Sequence, residues 1–336
     1  MLIQNPKTYK GQELETIFFR PTFCGPKADE FGVRIIYNMP MPTTVQVWSH
    51  KGNLLQPFQA GWSNAGPASN KLQKRINMQK VKAENAFSAE DYFSMVFEQI
   101  TNSADVNLGD LTGTELEKAE TELFRRSIAE SVRATMWVGD TEGSLSQLTS
   151  FDGFIKHLGD ICLEGKSGIV QEDVPSKIAN GSAIRYLRHA WDNASEELRG
   201  LRSEGNLVFY VTPDIYNDYE LWLDDKGGTT AYSELKDGRQ TLCYHGIPIV
   251  EVPVSKYLNQ MSSSFCVLTD KRNFVLALNT AELPENEVRM WYNPDEMENR
   301  QRTVFLAGTA IIDENLVSGT LIDTLDDSEE EENEEV

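Results

Sequence analysis

Hydrophobic positions along this chain follow two rhythms, and the points where one gives way to the other mark its elements. Period two dominates early. Val33-Arg34-Ile35-Ile36-Tyr37 and Val45-Gln46-Val47-Trp48 are β-branched and aromatic runs separated by Met39-Pro40-Met41-Pro42, and both predict strands. Between Lys71 and Lys82, Ile76 and Met78 alternate with polar neighbours, as in a half-exposed strand. The spacing then changes to three and four. Ser88-Ala89-Glu90-Asp91 is an N-cap with acids in its first turn, followed by a stripe of Tyr92, Phe93, Val96, Phe97 and Ile100. Thr114-Glu115-Leu116-Glu117 forms a capping box, and the helix it opens runs to Trp137. Leu116, Ala119, Leu123, Phe124, Ile128, Val132 and Met136 share its apolar face, while Glu120, Glu122, Arg125, Arg126, Glu130 and Arg133 mark the other. Val138-Gly139-Asp140 stops it.

The second half mixes the two rhythms. Phe151-Asp152-Gly153-Phe154-Ile155-Lys156-His157-Leu158 is a compact apolar segment, and residues 165–180 read as loop because Gly165, Gly168 and Pro175 interrupt them. Ala183 to Arg202 predicts a helix with Ile184, Leu187, Ala190, Trp191, Ala194, Leu198 and Leu201 on one side. Asn206 to Thr212 is a buried-type strand, and Pro213 then stands where a helix accepts proline, opening a short helix from Asp214 to Leu223. Asp225 to Gly228 reads as loop. Two β-rich runs meet around a Gly246-Ile247-Pro248 turn within Thr241–Pro253. Further strands follow at Phe265–Thr269, Asn273–Leu278, Val288–Tyr292 and Arg302–Ile312. No internal repeat is present.

Two stretches lack either rhythm. Residues 1–32 predict an arm, because Asn5-Pro6, Arg20-Pro21 and Gly25-Pro26 each force extended or irregular backbone. Its apolar Ile17-Phe18-Phe19 cluster needs something to lie against, either another molecule or the arm's own domain. Phe58 to Asn70 is small, polar and proline-interrupted, and reads as a mobile loop tip.

Charge changes the picture in two places. The 336 residues carry a formal net charge of -21, with 40% hydrophobic and 25% charged residues, a composition that forms a core. Asp323 to Glu335 holds nine acids and no base, leaving -12 for the remainder. That segment reads as disordered and solvating, and as a lure for a basic partner. So acidic a surface repels nucleic acid at long range and counts against an ordinary DNA- or RNA-binding protein. It also suits a wall that encloses DNA without sticking to it. Lys71 to Lys82 runs the other way, with Lys71, Lys74, Arg75, Lys80 and Lys82 and no acid. This basic ribbon either docks on an acidic neighbour, such as another copy of the chain, or is an edge strand shielded from aggregation by its lysines. No run of eighteen apolar residues and no apolar signal core argue for a membrane span or export.

Candidate chemistry stops short at each point. Gly159-Asp-Ile-Cys-Leu-Glu-Gly165-Lys166-Ser167 has five residues between its glycines where a phosphate loop needs four. Cys243 and His245 share a strand face without a third group, and read as packing before nucleophile and base. Asp224-Asp225 and the acidic tail lack a calcium-loop pattern. Cys24, Cys162, Cys243 and Cys266 are scattered and read as reduced. No catalytic residue, cofactor or metal ligand is assigned.

The order of these parts resembles the major capsid proteins of tailed bacteriophages, whose fold also appears in encapsulin shells. Residues 1–32 match the N-terminal arm and 33–87 the extended hairpin loop. Thr114–Trp137 matches the spine helix, and Val138-Gly139-Asp140 the glycine-aspartate after it. Phe151-Asp-Gly-Phe-Ile resembles the segment leading into the axial domain, and Tyr244-His-Gly-Ile-Pro-Ile-Val-Glu-Val-Pro253 the Gly-x-Pro-hydrophobic strand. The resemblance implies an α+β fold with a peripheral domain over 88–150, an axial domain over 151–280, return strands over 281–322 and an acidic tail over 323–336. It implies a non-enzymatic subunit that assembles with itself into pentamers and hexamers of an icosahedral head around packaged double-stranded DNA. Portal and decoration proteins are implied partners. No long helical segment precedes the arm, so a separate scaffolding protein, or none, is expected. The location implied is the virion, by way of the host cytoplasm. Inter-subunit contact is assigned to Phe18, Phe19, Lys71, Lys74, Arg75, Lys80 and Lys82. An encapsulin-like compartment and a soluble α+β enzyme stay open as alternatives.

Overall fold

A computed structural model describes residues 7–10, 33–37, 43–50, 58, 60–61, 69–88, 115–143, 146–165, 168–174, 178, 180–226, 232–236, 239–252, 263–279, 287–296 and 298–324. Its strands are β1 (Lys7–Lys10), β2 (Arg34–Tyr37), β3 (Thr43–His50), β4 (Ser69–Ile76), β5 (Gln79–Ser88), β6 (Gly168–Val174), β7 (Leu207–Val211) and β8 (Tyr232–Lys236). They continue as β9 (Arg239–Tyr244), β10 (Ile247–Glu251), β11 (Ser263–Asp270), β12 (Phe274–Asn279), β13 (Glu287–Asn293), β14 (Glu298–Ile311) and β15 (Val317–Thr324). The helices are α1 (Glu115–Val138), α2 (Phe154–Glu164), α3 (Ala183–Asp192), α4 (Glu196–Gly200) and α5 (Pro213–Lys226). The fold is α+β.

Two sheets carry the molecule. A six-stranded sheet runs β1-β13-β14-β12-β2, with β5 lying along β14. Within it β14 is the long central strand. It pairs with β13 over its first half, with β12 over its second, and with β5 from Glu298 to Ala307. A seven-stranded sheet runs β6-β15-β11-β7-β10-β9-β8, and β3 pairs with β4 in a separate ribbon.

One core joins the inner faces of both sheets to α1 and α2. On α1, Phe124, Ile128, Val132 and Met136 recur every fourth residue and are buried, as an amphipathic helix requires. Trp137, at the end of α1, lies 5.3 Å from the Phe154 ring, 5.2 Å from Tyr210 and 5.5 Å from Phe265. Phe274 stacks on Phe154 at 4.6 Å, so this aromatic hub draws on two helices and both sheets. A second core fills the opposite face of the seven-stranded sheet beneath α3, α4 and α5. Strand β7 explains why both are needed. Val208 and Tyr210 face the first core and Leu207, Phe209 and Val211 the second, so all five residues are buried.

Local contacts fix how the helices and the sheet crossings meet. Gly153, before α2, donates its N–H to Gly139 O at 2.7 Å, and a Cβ on Gly153 would stand 2.7 Å from both Gly139 N and Trp137 O. Only hydrogen fits there. The chain crosses between the sheets at the β11–β12 turn and again between β14 and β15, and buried Asn273 ties the crossings together. Its Nδ2 donates to Asp313 O at 2.9 Å, and its Oδ1 accepts from Asp313 N at 2.8 Å. Asp218 of α5 caps α3 from outside, accepting from Gly181 N and Ala183 N at 2.6 and 2.8 Å, where Ser182 makes no side-chain cap.

Several expectations need correction. Residues 168–174 form β6, an edge strand paired in parallel with β15, and not loop. The single strand expected over Lys71–Lys82 bends at Asn77-Met78 into β4 and β5. The helix expected over Ala183–Arg202 breaks at Asn193-Ala194-Ser195, where Ser195 Oγ caps α4 by accepting from Leu198 N at 3.1 Å. Asp225 and Lys226 are still helical. The turn expected at Gly246-Ile247-Pro248 falls at His245-Gly246, both at positive φ (52° and 78°), the two-residue hairpin geometry. Leu123, assigned to the apolar face of α1, is exposed. Strand β2 pairs in parallel with β12, so the ribbon within 33–87 is β3–β4 alone. Sheet membership also crosses the expected break at 280, because β12 belongs with β13 and β14 while β15 belongs with β11. The segment expected to be disordered from 323 begins inside β15, where Asp323 Oδ2 accepts from Gln171 at 2.7 Å. The helix expected from Ser88 and most of the arm, loop tip and tail lie outside the described residues, and β5 itself runs to Ser88.

Candidate functional site

The bend at Asn77-Met78 divides the basic ribbon between two surroundings. Gly308 permits the bend: a methyl there would stand 3.1 Å from Met78 Cα and nearer still to the Asn77 carbonyl oxygen. Beside it Val45, Ile76 and Met78 pack on Val275, Ala277, Leu306, Ala310 and Ile312, a small third core that seats the ribbon on the sheet's outer face.

At the ribbon's root, Lys74, Arg75, Asn77 and Gln79 form one wall of a cleft of about 280 Å³. The opposite wall carries His157, Asp160 and Glu164 on α2. Lys74 Nζ meets Glu314 Oε1 at 2.6 Å, a half-buried ion pair between the ribbon and the β14–β15 connection. His157 Nε2 lies 3.2 Å from both Thr309 O and Thr309 Oγ1, and burial holds the ring's pKa below its ordinary value. Behind the cleft, Lys156 Nζ reaches Asp140 at 2.5 Å and Asp152 at 3.4 Å, while Asp152 Oδ1 accepts from Thr141 N at 3.0 Å.

Beyond the bend, Lys80 and Lys82 are exposed on β5 while Val81 and Ala83 pack inward. Register then sets their neighbours. Lys80 stands opposite Leu306, Lys82 opposite Val304, and Glu84 opposite Arg302. On the far side of β14, Arg302 faces Arg289 and Arg300 faces Trp291. Strand alternation puts all of these on the outer face, away from α1. The Arg289 and Arg302 guanidiniums lie 5.3 and 5.9 Å from the centre of the Trp291 ring. Lys82 pairs with Glu84 at 2.8 Å, both exposed, and Arg300 pairs with Glu296. Exposed pairs of this kind contribute at most about 1 kcal/mol.

Of the contact residues expected from sequence, Lys80 and Lys82 therefore come together on the sheet, and Lys74 and Arg75 in the cleft. Lys71 lies on β4 opposite Trp48, with its side chain outside the described residues, as are Phe18 and Phe19. Sequence reading missed Arg289, Trp291 and Arg302. Alternation in Val288-Arg289-Met290-Trp291 and Asn299-Arg300-Gln301-Arg302 does place them on exposed faces, but only strand pairing sets them beside Lys82.

Other chemistry is not assembled among the described residues. Gly159 to Glu164 is helical, with Gly165 at φ 64° as its C-cap, so this segment does not curl around a phosphate. His245 stacks 5.8 Å from Trp191 at an exposed turn. Burial raises the Cys266 thiol pKa, which makes it inert. No group of three or more His, Cys, Asp or Glu residues converges as a metal-ligand set among the described residues.

No family model and no curated protein matches this sequence. Solved structures do. The satellite phage P4 procapsid, which includes the size determination (Sid) protein, matches at TM-score 0.54 with 11% identity, covering 91% of this chain and 90% of that one. A structure from Gordonia phage Cozz matches at TM-score 0.51 with 12% identity, covering 88% and 85%. An encapsulin from Synechococcus elongatus matches at TM-score 0.43 with 10% identity over 88% and 85%, too distant to weigh here. Agreement over nearly the whole of both chains at such low identity is agreement of fold, and the chain has the α+β fold of the tailed-phage major capsid proteins.

Proposed function

We propose that this chain is the major capsid subunit of a tailed phage, a structural protein without enzymatic activity that assembles with itself into an icosahedral head. The observation that carries this reading is the fold shared with phage structures over about nine-tenths of the chain. The ribbon seated on the sheet's outer face supports it, since a projecting β-ribbon with cations at its base suits contact with another copy. In this reading α1 and the six-stranded sheet form the peripheral domain, and the seven-stranded sheet with α3 to α5 forms the axial domain. Residues 1–32, with Phe18 and Phe19, are the arm. Lys71, Lys74, Arg75, Lys80 and Lys82 serve the contacts between copies. Many weak heterologous contacts close into fivefold and sixfold rings, and each contact made raises the effective concentration for the next. The shell encloses double-stranded DNA without reading its sequence, together with scaffolding, portal and decoration proteins. It assembles in the host cytoplasm and ends in the virion.

Expression of the chain, followed by size-exclusion chromatography and negative-stain microscopy, tests this. Closed particles, tubes or capsomer rings are expected. A small monodisperse species that turns over a nucleotide overturns it, and closed particles filled with a protein cargo favour an encapsulin-like compartment.

A further inference from the structure

We propose that the outer face of the six-stranded sheet, built on Lys80, Lys82, Arg289, Trp291 and Arg302, receives the acidic C-terminal segment 325–336 of a neighbouring copy. This rests on the shell reading and names a partner for one surface. Three features point to it. First, on a chain of net charge -21, Arg289 and Arg302 flank half-buried Trp291, with Lys82 and Lys80 farther along β5 at the level of Val304 and Leu306, and Glu84 and Glu298 the acids on described β5 and β14 positions of this face. Second, Arg289 and Arg302 stand directly opposite each other across β13 and β14. Like charges in that position oppose sheet pairing, and a further carboxylate beside them, added to Glu84 opposite Arg302, eases the repulsion. Trp291 holds both guanidiniums over its ring, so the site is formed before any ligand arrives. Third, the complementary charge lies in the same chain: Asp326 to Glu335, beyond β15, has eight acids and no base. That segment leaves from β15, which belongs to the other sheet, so it starts away from this face in its own subunit. An extended peptide with carboxylates on both edges can lie along β14 with acids over each arginine. A nucleic acid on the same face brings its phosphates against an otherwise acidic surface.

Carbodiimide coupling of assembled full-length protein, prepared as a mixture of nitrogen-15-labelled and unlabelled subunits, tests the proposal. Amide links from Lys80 or Lys82 to Glu329–Glu335 that join labelled to unlabelled chains are expected. Their yield should fall about tenfold or more in Arg289→Gln/Arg302→Gln, as when one side of a close charge pair is removed. Particles without such links, or links confined to single chains, overturn it. So does protection of Lys80 and Lys82 by added duplex DNA with no tail links. If the wild type forms no particles or rings, the shell reading fails by itself. Transfer of links to a fluorescently labelled 325–336 peptide then still decides the face: labelling of Lys80 or Lys82 upholds it, and none overturns it.

Discussion

Gly308→Ala tests how the ribbon is fixed to the body. The chain crosses β14 at Asn77-Met78, and a methyl on residue 308 would stand 3.1 Å from Met78 Cα and 3.2 Å from the Asn77 carbonyl carbon. Carbon atoms sit comfortably at about 3.5–4.0 Å, so the crossover must lift by roughly half an ångström or more. Both partners are backbone, which cannot swing aside as a side chain can. Overpacking of this kind costs about 1–3 kcal/mol. Full detachment of the root would instead expose Val45, Ile76 and Met78, each losing about 1.5–3 kcal/mol, so a strained but seated root is the cheaper outcome. Local opening of the ribbon should therefore become about 5- to 150-fold more frequent, at a factor of ten per 1.4 kcal/mol. Hydrogen exchange of the β3 and β4 amides reads this directly, with β7 amides as an internal reference. Faster exchange confined to the ribbon is the expected result. Wild-type rates in β4 would refute the close-contact account of the bend.

Gly159→Ala is the converse case, because its Cβ meets nothing within 4 Å in the middle of α2; it should stabilise the chain by about 0.5–1 kcal/mol in a denaturant titration. Asn273→Ala takes the acceptor from the Asp313 N–H, while Asp313 O keeps the Leu316 N–H at 3.3 Å, and at about 1–3 kcal/mol for the one donor left unmade a lower thermal midpoint is expected. For Asp140 and Asp152, burial pushes the carboxyls up, but the Lys156 ammonium and the N–H groups of Glu142 and Thr141 outweigh it and hold both below 3.8. Their folded pKa values are lowered, so their contribution is complete above about pH 4 and disappears as pH falls through the folded values. Lys156→Met should therefore be less stable than wild type near neutrality and converge with it in acid; a gap constant with pH refutes this. Burial lowers the His157 pKa from 6.5, so its share of stability is full above that value and declines as pH drops below it. His157→Gln should flatten urea midpoints across that window.

What could be read from the chain was whatever local pattern alone decides. The repeat of Phe124, Ile128, Val132 and Met136 fixes α1, and five consecutive buried residues with Pro213 two places beyond announce β7 and α5. Misreadings fall where a distant neighbour overrides local preference. Gln171-Glu172-Asp173 looks like loop because only β15, some 150 residues later, makes an edge strand of it. The bend at Asn77 depends on Gly308, and the break at Asn193 on Ser195 capping a new helix start. The cationic face was half visible: Lys80 and Lys82 stood out as a run without acids, whereas Arg289 and Arg302 were isolated in sequence and met only through register.

The order of strands in the six-stranded sheet also sets a clock. Strands β1, β2 and β5 come from the first 88 residues, yet their partners β13, β12 and β14 lie between residues 274 and 311. During synthesis those early strands must wait, because closing so long a loop brings no stabilisation until the partner exists. Lys80 and Lys82 therefore do not share a surface with Arg289 and Arg302 until the last of β14 has left the ribosome. A half-made subunit has no cationic face to offer. In the proposed shell, this keeps growing chains out of assembly and admits a chain only when it is whole.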